Sequence, residues 1–253
     1  MNFGSLKSKN VVVTGCNKGI GKSILVDFAK NGANVYACVR TINKEFILFT
    51  KDLEKNYKTQ IKIIKLDLSK NYSISEWTSN ILKNTKKIDV LVNNAGILSN
   101  SLFQMTSEKN LKEIFQINFF SQIYFTQMIS RAMAKNKKGN IIFISSTSGI
   151  DGDYGRFAYS SSKAAIINSV RTISKELSNF NIRVNSVSPG LTKTELMYSN
   201  TKENILKSEI QKISLKRMAE TDEISKVVLF LASENSNYIN GQNLIVDGGR
   251  SWT

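Results

Sequence analysis

Short apolar runs alternate with longer segments of helical periodicity along almost the whole chain. The runs, rich in Val, Ile and other apolar residues, predict buried strands at 10–14, 34–39, 61–66, 88–92, 140–145, 182–188 and 243–246. Helical patterns fill the intervals, most clearly at 19–31, 107–135, 157–179 and 221–233. Such alternation is typical of βαβ units, whose right-handed crossovers place helices on both faces of a parallel sheet. We therefore expect an α/β fold: a Rossmann-type, doubly wound parallel sheet of about seven strands.

Length and composition add the expectation of a single cytoplasmic domain. The 253 residues match one α/β domain of about 200–250 residues, so we expect 1–253 to form one unit. No apolar stretch approaches the roughly 18 residues of a membrane helix, and the N-terminus has no signal-peptide pattern. Two cysteines cannot build a disulfide framework. The polar segment 194–216 follows the carboxyl end of a strand, where ligands bind, and is expected to be a substrate lid.

The first strand-like run leads into a glycine-rich turn and then into a helical pattern. The segment VVVTGCNKGIG (11–21) contains three glycines after the apolar run. Glycines let the backbone approach a pyrophosphate closely, and a helix N-terminus binds its negative charge. A structural turn is the alternative, because the spacing differs from the G-x-G-x-x-G fingerprint. The nucleotide-binding interpretation predicts cofactor contacts at Gly15, Asn17, Lys18, Gly19, Ile20 and Gly21.

Tyr159, Lys163 and Ser146 form a second candidate constellation. Tyr159 and Lys163 are four residues apart in a helical pattern, so both side chains lie on one face, one turn apart. A nearby ammonium is expected to lower the phenol pKa from about 10 toward the working range of a proton donor. Ser146 ends a strand-like run, where its hydroxyl could hydrogen-bond a substrate carbonyl. The alternative is that Tyr159 and Lys163 are an ordinary pair on a helix surface and that Ser146 is an ordinary cap or turn residue.

Histidine is absent from the chain, which excludes a Ser-His-Asp relay. With only two cysteines, this absence also argues against a zinc-dependent dehydrogenase, and we expect no metal site. The formal net charge of +15 comes mostly from dispersed lysines, and no nucleic-acid-binding module accompanies it. We therefore expect no nucleic-acid partner, although a basic surface would attract an acidic protein or an anionic ligand.

The end of the second predicted strand bears on the choice of cofactor. NAD-binding proteins of this type place a carboxylate there to hold the ribose 2′-hydroxyl. Val39 stands at that position, and no Asp or Glu follows before Glu45. Arg40 and Lys18 could instead contact a 2′-phosphate, with solvated surface charges as the alternative. The pattern predicts NADP(H) rather than NAD(H).

Together these motifs resemble the short-chain dehydrogenase/reductase family over nearly the whole chain. In order, they are TGCNKGIG (14–21), NNAG (93–96), Ser146, Tyr159-x3-Lys163 and Pro189-Gly190. The resemblance implies a catalytic tetrad of Asn118, Ser146, Tyr159 and Lys163, in which Asn118 would hold a water that connects Lys163 with solvent. It also implies cofactor contacts at Asp67, Leu68, Asn94, Ala95, Gly96, Tyr159, Lys163, Pro189, Gly190, Thr192 and Thr194.

The reaction that the resemblance implies is reversible hydride transfer between NADPH and a ketone. Within the family the chain most resembles the 3-oxoacyl-acyl carrier protein reductases, which implies an acyl-thioester substrate and an acidic carrier protein. Those reductases dock the carrier on basic residues near the active-site entrance; Lys137 falls at one such position, whereas Phe180 stands at the other. A reductase of a sugar, polyol or other small secondary alcohol is the alternative, and a nucleotide-binding regulatory protein on the same fold is a third interpretation.

The resemblance further implies a homotetramer or homodimer that pairs the helices at 107–135 and 157–179. The first of these segments carries more apolar residues than one buried stripe needs, so some of them are expected to face a second subunit. The residues concerned are Ile114, Phe115, Phe119, Ile123 and Phe125.

Overall fold

Seven parallel strands form one sheet in a computed structural model that describes residues 6–85 and 87–250. The strands are β1 (Asn10–Thr14), β2 (Asn34–Val39), β3 (Ile61–Lys65), β4 (Val90–Asn93), β5 (Gly139–Ile144), β6 (Ile182–Pro189) and β7 (Asn243–Val246). Their order across the sheet is β3-β2-β1-β4-β5-β6-β7, and every pairing is parallel. The predicted Rossmann-type fold is confirmed, and each predicted strand lies within two residues of an observed one.

Helices connect the strands. They are α1 (Gly19–Lys30), α2 (Lys44–Tyr57), α3 (Asn71–Asn84), α4 (Glu108–Phe115), α5 (Ser121–Lys135), α6 (Ser148–Asp151), α7 (Phe157–Leu177), α8 (Glu195–Asn200), α9 (Glu203–Gln211) and α10 (Thr221–Ala232). The segment expected to be a lid, 194–216, therefore contains two short helices, α8 and α9. Among the described residues, no helix is both long enough and apolar enough to cross a membrane.

The helical pattern at 107–135 does not form one regular α-helix. A π-helical turn at Gln116–Phe120 separates α4 from α5. Such a turn accommodates one extra residue, and it changes the direction in which the following side chains point. Sequence periodicity did not predict the turn, because apolar residues are so frequent in 107–135 that a shift of one position in their pattern is not visible.

The two faces of the sheet have separate hydrophobic cores. Val11 and Val13 of β1 point to the face covered by α1 and α10, whereas Val12 points to the face covered by α3, α5 and α7. This alternation follows from the two-residue period of a strand, and it explains why the central strands contain consecutive apolar residues. On the second face, Phe125 of α5 is fully buried and its ring centroid lies 5.1 Å from that of Trp77.

The strand order reverses between β1 and β4, and this reversal positions the functional site. The chain leaves β1 toward β2 on one side and leaves β4 toward β5 on the other. The two connections therefore diverge above the carboxyl ends of β1 and β4, where open α/β sheets form a ligand crevice. Because Val13 pairs with Val92, both strands end at the same level, at Thr14 and Asn93.

Candidate active site

A cleft of about 1160 Å³ opens at the carboxyl edge of the sheet, above the point where the strand order reverses. Every cofactor contact predicted from the sequence lines this cleft, and so do Ser146, Tyr159 and Lys163. Asn118 is the exception among the predicted site residues, because it is completely buried and does not line the cleft. The fold thus gathers residues from one end of the chain to the other around a single cavity.

Two glycines of the turn after β1 are required by close contacts. Gly15 has a φ of 66°, and a Cβ there would lie 2.8 Å from the Cα of Ala95. A Cβ on Gly21 would lie 2.2 Å from the carbonyl oxygen of Gly15. The N-cap residue of α1, Lys18, makes no side-chain capping bond, so the N–H groups of the first turn face the cleft without a side-chain cap. This arrangement fits a bound pyrophosphate.

The carboxyl ends of β1 and β4 are joined by hydrogen bonds. The Thr14 hydroxyl oxygen accepts from the backbone N–H groups of Asn94, at 2.9 Å, and Ala95, at 3.0 Å. In return, the Asn94 amide donates to the carbonyl oxygens of Thr14 and Gly15. The Asn94 side chain therefore braces the glycine turn, and its backbone forms part of the cleft wall.

No carboxylate stands at the end of β2, where the strand meets the cleft. Val39 is buried there, and Arg40 follows it, exposed on the cleft wall. Asp67 accepts hydrogen bonds from the backbone and hydroxyl of Ser69. Burial alone would raise the pKa of Asp67, but these bonds and the nearby cations Lys70 and Arg40 lower it, so the carboxylate is ionised.

Lys18 does not stand free beside Arg40. Its ammonium lies 3.2 Å from the Glu195 carboxylate, at the first residue of α8. Both side chains are exposed, which makes this ion pair weak and easily exchanged for another anion. The contact joins the glycine turn to the segment expected to be a lid.

Ser146, Tyr159 and Lys163 meet where β5 and α7 face each other. Tyr159 hydrogen-bonds Ser146, and the Lys163 ammonium lies 5.8 Å from the centroid of the Tyr159 ring. Lys163 is buried, and its Nζ donates to the carbonyl oxygen of Ile144 at 2.8 Å. The Ser145 hydroxyl donates to the Lys163 carbonyl oxygen at 2.9 Å, which fixes α7 against the end of β5.

The expected effect of Lys163 on the Tyr159 hydroxyl is not found. Part of the Tyr159 ring is exposed in the cleft, yet desolvation of its hydroxyl raises the Tyr159 pKa above 10.0, and the hydrogen bond with Ser146 only partly offsets this. Arg156, rather than Lys163, is the cation that lowers this pKa. The sequence prediction was wrong because it considered the spacing of the two residues and neglected their burial. Burial lowers the pKa of Lys163 itself to about 8.

Asn118 lies behind the cleft wall, on the π-helical turn. Its side-chain oxygen accepts from the Ile97 N–H at 2.8 Å, and its amide donates to the Ile97 carbonyl at 2.9 Å and to the Ser162 hydroxyl at 3.2 Å. Gly96 separates Asn118 from the cleft. A Cβ on Gly96 would lie 3.3 Å from the Asn118 side-chain oxygen and 3.6 Å from the Lys163 ammonium. The missing side chain at Gly96 therefore keeps the space between these two groups open.

The loop after β6 forms another wall of the cleft. Gly190 packs so closely against Asp247 that a Cβ would lie 2.7 Å from the Asp247 Cβ. The Thr192 hydroxyl is buried and donates to the Gly190 carbonyl at 3.1 Å. The Thr194 hydroxyl caps α8 by accepting from Met197, and its methyl group lies 3.3 Å from the Cβ position of Gly19. Both predicted threonines thus line the cleft while also making internal hydrogen bonds.

The structure adds charged and polar residues that the sequence analysis did not single out. They are Ser148, Asp153, Arg156, Glu209 and Arg250, and all of them line the cleft. The first three lie between the Ser146 and Tyr159 motifs, which is the one signal that could have identified them. Glu209 and Arg250 are distant in the sequence, and only the fold brings them near.

Comparisons with known proteins agree with this architecture. Residues 15–251 match the family model described as enoyl-(acyl carrier protein) reductase. The chain is 38% identical over 247 residues to the 3-oxoacyl-acyl carrier protein reductase FabG of Chlamydia trachomatis, covering 97% of this chain and 98% of the relative. It is 34% identical to FabG of Thermotoga maritima, over 96% of this chain and 98% of that protein.

Two solved structures share the fold along almost their whole length. One is a Beutenbergia cavernae protein assigned as an NAD(P)-dependent gluconate 5-dehydrogenase, with NADP bound at low occupancy; the TM-score is 0.94, the identity 26%, and both chains are covered fully. The other is a 7α-hydroxysteroid dehydrogenase in complex with NADH and a 7-oxo bile acid, with a TM-score of 0.91, 29% identity, and coverage of 98% of this chain and 97% of that one. With the ordered motifs, the parallel sheet and the full-length relatives in agreement, this chain belongs to the short-chain dehydrogenase/reductase family.

Proposed function

We propose that this protein is an NADP(H)-dependent oxidoreductase that reduces a 3-oxoacyl thioester, carried on acyl carrier protein, to the corresponding alcohol. The observation that carries the proposal is the group of Ser146, Tyr159 and Lys163, which faces one cleft beside a glycine turn that fits a pyrophosphate. The substrate class comes from the relatives, since the chain matches 3-oxoacyl-acyl carrier protein reductases over nearly its full length.

In this proposal the dinucleotide lies along the cleft, between the glycine turn and the loop after β6. The first turn of α1 would hold the pyrophosphate, Asp67 would contact the adenine, and Lys163 would bind the nicotinamide ribose. Once bound, NADPH would supply the hydride for the carbonyl carbon. The glycines at 15 and 21 support the fit, because they let the turn pack directly against Ala95 and against its own backbone, which leaves the first turn of α1 open to the cleft.

The protein's own residues would orient the carbonyl and protonate its oxygen. Ser146 donates a hydrogen bond to the substrate oxygen, and Tyr159 gives it a proton. Because the Tyr159 pKa is raised, the phenol is protonated at neutral pH and serves as the acid in the reductive direction. Arg156, the cation that lowers the Tyr159 pKa, stabilises the phenolate that remains. Asn118 would hold the π-helical turn and Ile97 in place behind Lys163, and a water at Asn118 would return the proton from solvent.

NADP(H) is the cofactor we infer. Val39 leaves the end of β2 without a carboxylate, and Arg40 lies exposed on the cleft wall, where a guanidinium could bind a 2′-phosphate. Lys18 is close to the same region, but a phosphate would have to displace Glu195 from its ammonium. Arg40 is therefore the main determinant of the preference.

A small secondary alcohol or its ketone is the second candidate substrate. The two solved structures described above are named for a gluconate and a steroid dehydrogenase. The substrate end of the cleft also contains several charged side chains, including Arg156 and Arg250, which suit a polar substrate.

Lys137, expected to dock carrier protein, does not line the active-site cleft of its own chain. Lys137 lies two residues before β5 and lines a different cavity, at the amino edge of the sheet, whereas the active-site cleft lies at the carboxyl edge. The expectation that Lys137 stands beside the entrance of its own active site is therefore wrong. Carrier-protein binding stays a proposal that rests on the relatives alone.

We also propose that the chain forms one domain that assembles as a homodimer or homotetramer through α4, α5 and α7. Ile114 and Phe125 are buried in the chain's own core, whereas Phe115, Phe119 and Ile123 are only partly covered. Phe120 and Tyr124 add an exposed apolar surface, 54% and 41% accessible, on the same turns. A second copy of this chain would cover such a patch by symmetric, self-complementary contact. In the same proposal, 194–216 is the lid over the substrate.

The first prediction tests the proton donor. Tyr159→Phe keeps the ring packing and removes the acid, so turnover of a 3-oxoacyl thioester should fall by about 10²–10⁴-fold. NADPH oxidation is followed by absorbance, with Tyr238→Phe as the control, since Tyr238 is fully exposed. A Tyr159→Phe variant with more than a third of wild-type activity would rule out this role. A wild-type protein that reduces a ketosugar but no thioester would favour a small secondary alcohol or its ketone as the substrate.

The second prediction concerns the cofactor. Wild-type kcat/KM should be higher with NADPH than with NADH, and Arg40→Asp should shrink or reverse the preference because a carboxylate repels a 2′-phosphate. Lys44→Asp makes the same charge change on an exposed residue outside the cleft and should leave the ratio unchanged. Equal kcat/KM for both cofactors in the wild type would sink the proposal.

The third prediction concerns pH. The Lys163 pKa is lowered to about 8, so the ammonium is present below pH 8 and is lost as the pH rises through that value. The kcat/KM for reduction, which reports the free enzyme, should therefore decline above about pH 8. Tyr159 cannot cause this decline, because its pKa lies above 10.0. A pH profile of kcat/KM that stays flat to pH 10 would contradict the proposal that the Lys163 ammonium binds the nicotinamide ribose.

The fourth prediction concerns assembly. Phe120→Lys places a charge in the proposed interface and should dissociate the oligomer, as measured by light scattering at micromolar concentration. Leu48→Lys makes the same change on α2, where Leu48 is 62% exposed, and should leave the mass unchanged. A wild-type protein that is monomeric under these conditions refutes the proposed assembly.

A further inference from the structure

A chain of hydroxyl groups leads from the proposed catalytic serine to a carboxylate. The Ser146 hydroxyl donates to the Ser148 hydroxyl at 3.1 Å, and the Ser148 hydroxyl donates to Asp153 Oδ2. The backbone N–H of Ser148 also donates to the Ser146 oxygen at 3.2 Å. An ionised carboxylate can only accept, so Asp153 takes the single hydroxyl hydrogen of Ser148 and anchors that residue, whose backbone N–H in turn holds the Ser146 oxygen. The Ser146 hydrogen, given to Ser148 in this structure, would turn to the substrate oxygen during the reaction while the Ser146 oxygen stays in place.

Asp153 is also the point where two arginines meet. Arg156 Nη1 lies 3.2 Å from Asp153 Oδ2, and Arg250 Nη2 lies 3.6 Å from Asp153 Oδ1. All three side chains are at most 20% exposed. A carboxylate this poorly hydrated depends on its partners, and each arginine would in turn be left uncompensated without it.

Each arginine reaches from Asp153 to the segment that we propose as the lid. Arg250 Nη2 lies 2.6 Å from the Glu209 carboxylate on α9, and Arg156 Nη2 donates to the Thr201 hydroxyl, between α8 and α9, at 3.0 Å. Arg156 Nε also donates to Asn100 Oδ1 at 3.1 Å. The Asp153 carboxylate is therefore shared between the serine chain and α9.

The backbone holds Asp153 in place against the catalytic helix. The Asp153 N–H donates to the Ser160 hydroxyl on α7 at 3.3 Å. Gly152 and Gly155 flank the turn, each with a φ of 72°, a conformation that favours glycine. The position of the carboxylate is thus fixed relative to Tyr159, the neighbour of Ser160 on α7.

We propose that Asp153 is a positioning residue, which orients Ser146 through Ser148 and joins this serine to α9 through Arg250. The inference rests on the proposed carbonyl reduction for its kinetic consequence, but the contacts themselves do not. When α9 lies against the cleft, Arg250 bridges Glu209 and Asp153, and the serine chain has a fixed acceptor. When α9 moves away, Arg250 loses the Glu209 contact that helps to hold it beside Asp153, and the orientation of Ser146 becomes less well defined.

Four single variants separate the links. Ser148→Ala breaks the hydroxyl chain, and kcat for a 3-oxoacyl thioester should fall by roughly 10–100-fold, as expected when a reacting group is misplaced. Ser148→Thr keeps a hydroxyl and should restore most of this loss. Asp153→Asn should lower kcat to a similar extent. Arg250→Met should raise KM by about fivefold, a modest coupling between sites, with kcat less affected.

A double variant distinguishes positioning from a loss of folding. Because Ser148 and Asp153 act in one chain, the loss in Ser148→Ala/Asp153→Asn should be no larger than that of the worse single variant. Asp151→Asn removes an exposed carboxylate two residues away and should leave kcat and KM unchanged. Losses that multiply in the double variant, or wild-type kinetics in both single variants, would overturn the inference while Tyr159→Phe still tests the proposed function.

Hydrogen exchange tests the link to α9 without any assay of activity. Amide exchange in Glu203–Gln211 should be faster in Asp153→Asn and in Arg250→Met than in the wild type or in Asp151→Asn. If the wild type reduces no carbonyl compound, the proposed function fails, and this measurement alone decides the structural link. Unchanged exchange in both variants would show that Asp153 does not hold α9.

Discussion

The cleft depends on the hydrogen bonds that join the carboxyl ends of β1 and β4. Thr14 and Asn94 exchange contacts across the point where the strand order reverses, with the Thr14 hydroxyl accepting two backbone N–H groups. These bonds hold the glycine turn at one wall and the 94–96 segment at the other, and they satisfy polar groups that the diverging connections would otherwise leave unpaired. The α1 terminus, Gly96 and Lys163 are all positioned relative to this junction.

Burial decides the electrostatics of the site more strongly than proximity does. Desolvation raises the pKa of the Tyr159 phenol, which stays protonated, and lowers the pKa of the Lys163 ammonium, which loses its proton more readily. The Asp153 carboxylate lies among two arginines and a hydroxyl that compensate its loss of water. The pKa values of the two groups are thereby separated, with that of Lys163 near 8 and that of Tyr159 above 10.0, so Tyr159 is the group that keeps its proton across the neutral range.

The sequence predicted the features that have a period or a fixed spacing. The apolar runs located all seven strands, and the motifs at 14–21, 146 and 159–163 meet in one cleft. Features that depend on three-dimensional neighbours were missed or wrong. The Tyr159 pKa required knowledge of its burial, the position of Lys137 required knowledge of which sheet edge it occupies, and the contact of Arg250 with Asp153 joins residues 97 positions apart in the chain. Lys18 was expected to face a phosphate, and only the fold revealed Glu195 beside it.

The π-helical turn at Gln116–Phe120 has a consequence for the phase of the helix. Each residue of an α-helix rotates the following side chains by about 100° around the axis. The extra residue in the turn therefore sets Asn118 toward Ile97 while Phe120 and Tyr124 face outward. A deletion of one residue here would change the composition of the chain very little, yet it would rotate every later side chain of α5 against the sheet. One extra residue thus sets both the buried contact of Asn118 with Ile97 and the exposed surface of Phe120 and Tyr124. Neither can be rotated about the helix axis without the other.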